Sequence, residues 1–130
     1  MKKITLLSIL FLSLSSFSIF KPSNRSLLSI KKTKYFLQED ENIQKGKQIF
    51  IKNQCTLCHK EKTEGLAPAL SVINSFYKGD KDKLIKFLKR ESDPIVMPES
   101  FGIMAANLFK TKRMSDEDLN ALASYMLSIK

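Results

Sequence analysis

Cys55 and Cys58 stand three positions apart and His59 follows at once, so one short segment carries both thiols and the only imidazole of the chain. Two thiols at this spacing can add across the two vinyl groups of a haem as thioethers, and the adjacent ring is then held against one face of the iron. The pattern C-x-x-C-H therefore points to covalent haem attachment, with His59 as proximal ligand. Other uses of these residues lack parts. A structural zinc site takes four Cys or His ligands, and the chain has two Cys and one His in all. A bare dithiol or disulfide is the better rival, but a thioredoxin-like C-x-x-C should follow a strand in a βαβ pattern, and none is visible.

The elements around this segment fall into three stretches. A length of 130 residues suggests one domain, and residues 1–20 do not belong to it. Lys2 and Lys3 precede the apolar run Ile4 to Phe20, which is diluted by five serines and reads as a secretory signal removed near Ser18. An uncleaved anchor is the rival, since seventeen residues are at the lower edge of what spans a bilayer. Residues 21–38 hold Pro22, several Ser and five basic residues without a long periodic pattern, and read as a basic linker. Residues 39–130 are the haem domain. Of the net charge of +9, residues 1–38 supply +7 and the remainder only +2. A nucleic-acid partner is thereby disfavoured, because basic residues beside a membrane-targeting run serve export or lipid headgroups.

Helical patterns fill the third stretch. Asp40 or Asn42 can cap a first helix in which Ile43, Gly46, Ile49 and Phe50 recur at spacings of three and four. A glycine costs such a helix about 1 kcal/mol relative to Ala, so Gly46 is expected to serve close packing. Val72, Ile73, Phe76 and Tyr77 suggest a short helix ended by Gly79. Asp80 caps the next, where Leu84, Phe87 and Leu88 share a face and Lys81, Lys83, Lys86, Lys89 and Arg90 cover the rest. That basic face is either solvated or able to steer an acidic partner. The last helix opens with Ser115 as N-cap, Asp118 at the capping-box position and Met114 stapling Leu119. Its buried stripe runs through Leu122, Ala123, Met126 and Ile129.

The pieces Gly46 to Phe50, Cys55 to His59, Leu66 to Leu70 and Met114 to Tyr125, in this order, resemble a small bacterial class I cytochrome c with one haem. The resemblance covers residues from about Asp40 to Lys130. It implies an all-α cytochrome c fold: about four helices packed around one covalently attached haem c, with the N- and C-terminal helices crossing. It also implies that the carbonyl of Pro68 accepts a hydrogen bond from the outer ring nitrogen of His59, fixing the tautomer and strengthening the ligand.

With one histidine in the chain the sixth iron position falls to Met, to Lys or to nothing. Met1 goes with the signal, Met114 has a staple role and Met126 lies on a core stripe, which leaves Met97 and Met104. The resemblance favours Met104, since Asn107 follows it closely and Ser115 lies eleven positions on. Met97-Pro98 resembles the ligand pair of other branches, so Met97 stays a candidate. A Met/His pair favours ferrous iron. The expected function is one-electron transfer in the periplasm between an oxidase, a reductase or a cytochrome bc-type donor, by a monomer that is not an enzyme and can associate with membrane through its N-terminus. The rivals are a haem-binding sensor or tethered subunit of a respiratory complex and, if the sixth site is open, a peroxidase-like enzyme.

Overall fold

The computed structural model describes residues 24–130, so the segment read as a signal, 1–20, lies outside the described residues. Those described form six α-helices and two 3₁₀ turns, without a strand. Helix α1 runs from Asn24 to Lys52. It therefore begins well before Asp40, and the stretch 21–38 read as a linker is helical from Asn24 onward. Asp40 and Asn42 are mid-helix and not caps. The physical reason is that no Pro or Gly lies between Pro22 and Gly46, while Leu, Lys, Gln and Glu are good helix formers. Periodicity fails to mark this part because its side chains from Ile30 to Glu41 are exposed and pack no stripe.

Helices α2 (Leu70–Tyr77), α3 (Lys81–Leu88) and α6 (Asp116–Ser128) follow the pattern of the sequence. Asp80 caps α3 by accepting from the Lys83 amide at 3.0 Å, and the Ser115 hydroxyl caps α6 by accepting from the Asp118 amide at 3.2 Å. Two five-residue helices, α4 (Phe101–Ala105) and α5 (Leu108–Lys112), bring the number above the expected four. The buried Thr111 hydroxyl donates to the Leu88 carbonyl at 2.6 Å and ties α5 to α3.

Helices α1 and α6 cross closely. A Cβ on Gly46 would overlap the Ala121 carbonyl and lie 2.8 Å from Tyr125 Cβ, so only a glycine lets the two backbones meet there. Phe50 and Tyr125 fill the crossing edge-to-face at 5.4 Å. Tyr125 is more buried than a flanking position would be, and its hydroxyl donates to Glu61 Oε1 at 3.0 Å. Burial, reinforced for Tyr125 by that carboxylate, pushes Tyr77 and Tyr125 from 10 up to about 12. The fold thus holds the neutral phenols, and its stability is fully present below pH 10. Stability should fall as pH rises from about 10 to about 12, and Tyr125→Phe should flatten that fall in an alkaline unfolding titration.

Candidate functional site

The site begins where α1 stops. Gln54 takes a left-handed backbone (φ 62°), and the chain then winds into the 3₁₀ turn Cys55–Leu57, with the Cys58 and His59 amides both donating to the Cys55 carbonyl at 3.3 and 3.0 Å. The following loop is pinned back onto this turn. Ala67 N–H donates to the Cys58 carbonyl at 3.2 Å and Leu70 N–H to the Lys60 carbonyl at 2.8 Å. Gly65 lies so near that a Cβ there would sit 2.8 Å from the Cys58 carbonyl. These bonds carry Pro68 to the imidazole: His59 Nδ1 is 2.7 Å from the Pro68 carbonyl oxygen. A carbonyl only accepts, so Nδ1 bears the proton and Nε2 keeps its lone pair for a metal.

Cys55, Cys58, His59 and Pro68 border one cavity of about 430 Å³, within the range of roughly 300–1,000 Å³ common for cofactor and ligand sites. Its walls are apolar. Leu84, Phe87 and Leu88 of α3 line it together with Ile95, Val96 and Phe101, and the Phe87 and Phe101 rings meet at 5.9 Å. Met104 and Met97 both border it, so the structure brings both ligand candidates to the place where Cys55, Cys58 and His59 lie. They differ in setting. Met104 is half-buried in α4 and packs against the core, whereas Met97 is 46% exposed on a left-handed backbone with φ 47°. Met126, assigned to the core stripe alone from its spacing, is buried and borders the cavity as well.

The thiols are free, not joined to each other. Burial pushes the Cys55 thiol up, and the nearby Lys110 ammonium only opposes this. A cycling redox dithiol is favoured by a lowered thiol pKa, and Cys55 is shifted the other way. Free thiols at the rim of an apolar cavity, an imidazole whose outer nitrogen is held by the Pro68 carbonyl, and thioether sulfurs among the walls together fit a haem.

Lys110 and Gly65 were not singled out from the sequence. Lys110 donates to the Asn53 carbonyl at 3.4 Å and borders the cavity, but a lone lysine in a broken stretch carries no signal. Gly65 sits in a polar loop where glycine is ordinary. The lysine face of α3 is placed less favourably for steering than its composition suggests, because α3 turns Leu84, Phe87 and Leu88 to the cavity. Lys89 is also committed to Asp116 at 2.6 Å, and Lys81 to Ser124 at 3.3 Å.

An all-α fold with a C-x-x-C-H turn at the mouth of an apolar cavity defines a covalent haem protein. The family described as Cytochrome c matches residues 43–130, and the chain belongs to that family. Its cofactor is covalently attached haem c, and its partners are redox proteins. Among curated proteins none matches the chain.

Proposed function

We propose that the protein is an exported one-electron carrier in which Cys55 and Cys58 bind haem c through thioethers and His59 and Met104 are the axial ligands. Bound there, the haem supplies reversible one-electron exchange. The observation that carries the reading is the 2.7 Å hydrogen bond from His59 Nδ1 to Pro68, which orients the ring, fixes its tautomer and makes Nε2 the more basic ligand. With haem bound, the apolar lining of the cavity would exclude water from the iron and would favour the less charged ferrous state. Leu57 and Leu66 border the cavity yet are 66% and 85% exposed, so one edge of the site stands open to partners that dock briefly. If His59 and Met104 both held the iron, no site would be left for substrate, which would separate a carrier from a peroxidase. Residues 1–20 read as the export signal, and the periplasm is the compartment in which we place the domain.

Acid-organic extraction tests the attachment. Haem should stay with the denatured wild-type chain and be released completely from Cys55→Ser/Cys58→Ser. Release from the wild type would overturn the reading.

A further inference from the structure

Among the described residues, the part of α1 that precedes the haem domain carries a small apolar face that lies outside the hydrophobic core. Ile30, Phe36 and Leu37 are 60% or more exposed, far more than single surface hydrophobes need. At about 100° per residue, Ile30, Phe36 and Leu37 share one side of the helix. Gly46, which meets α6 at Ala121 and Tyr125, lies about 140° around the helix from the middle of that face. The haem domain leaves Ile30, Phe36 and Leu37 exposed.

Charge says what covers it. Lys32 and Lys34 flank the face, Lys31 lies behind it, and residues 1–38 contain no acidic residue. Glu39, Asp40 and Glu41 then follow together, and the apolar stripe ends where they begin. Long lysine stems beside apolar residues lie along acyl chains while their ammonium groups reach the headgroups, and aromatic side chains favour that depth. The apolar run Ile4 to Phe20 ends four positions before Asn24, so this helix begins next to the most lipophilic stretch of the chain.

We propose that residues 30–37 of α1 dock flat on an anionic lipid bilayer through Ile30, Phe36 and Leu37, with Lys32 and Lys34 on the phosphates. The acidic triplet is repelled by the same surface and lifts the helix beyond it. The cavity lies at the far end of α1, about 22 Å further along the axis by the helical rise from Leu37 to Lys52. Docking thus leaves the haem edge free while confining the carrier to the plane of the membrane.

The chain contains no Trp, so a single one reports its own surroundings. In the haem-loaded full chain, Phe36→Trp emission should shift to the blue on adding vesicles of equimolar phosphatidylglycerol and phosphatidylcholine. Tyr35→Trp, about 100° around the helix and on the side of α6, should keep water-like emission. Changing Lys32 and Lys34 to Gln should weaken the vesicle affinity of Phe36→Trp by roughly 30-fold, at about 1 kcal/mol per lysine. Water-like emission at both positions overturns the proposal, even if residues 1–20 hold the chain on the vesicles. An equal shift at both positions, or with pure phosphatidylcholine, overturns it too. The visible haem spectrum of the same samples reports the carrier reading separately.

Discussion

Replacing Met104 with Ala should abolish the weak sulfur-to-ferric-iron band at the red end of the spectrum and lower the reduction potential, while Met97→Ala leaves both in place. A methionine opposite a histidine raises the potential by favouring ferrous iron, so its removal acts directly on the driving force for electron transfer. The two residues can be separated because both border the cavity yet differ in support. Met104 is held by α4 and by the core around it. Met97 is nearly half exposed at the start of the 3₁₀ turn Pro98–Ser100, and fixing it as a ligand would demand ordering that its surroundings do not supply. Asn107, whose backbone N–H donates to the Met104 carbonyl at 2.9 Å, borders the cavity as well. Loss of the band in Met97→Ala alone would assign the sulfur to Met97, and its survival in both variants would point to Met126.

The second large effect is on stability. Gly46→Ala should destabilise the protein by about 3 kcal/mol, because the new methyl meets backbone and no rotamer can relieve it. For a domain of this size that lowers Tm by roughly 12–24 °C. The helix gains about 1 kcal/mol from exchanging Gly for Ala, so the overlap with Ala121 must exceed that gain before any loss appears. Gly102 is the internal control. It also lies in a helix, α4, but a Cβ there has nothing within 4 Å, so Gly102→Ala should stabilise slightly. Thermal unfolding of the two variants side by side decides the matter. A Gly46→Ala protein as stable as Gly102→Ala would mean that α1 and α6 do not meet backbone to backbone.

What could be read without coordinates were features whose signal is local. Cys55, Cys58 and His59 declare their chemistry by type and spacing, and the all-α class came with the family resemblance that these and the flanking pieces carry. Ser115 and Asp80 announce their helices because a cap bonds within three residues of itself. Gly46 announced a close approach because a glycine in a helix needs a reason. The part of α1 from Asn24 to Glu39 carries no such signal: from Ile30 on it buries no stripe, and periodicity detects burial, not helix.

Only the tertiary structure decided what meets across the chain. It set the Pro68 carbonyl 2.7 Å from His59, an approach that sequence supported by resemblance alone, since it depends on Gly65 and two backbone bonds folding the loop back. It brought Lys110 to the rim beside Cys55 and turned the lysines of α3 away from the cavity. It also placed Met97, Met104 and Met126 around one cavity. A thioether has no charge and little spacing preference, so sequence can list the methionines, and only packing chooses which of them stand near the iron's place.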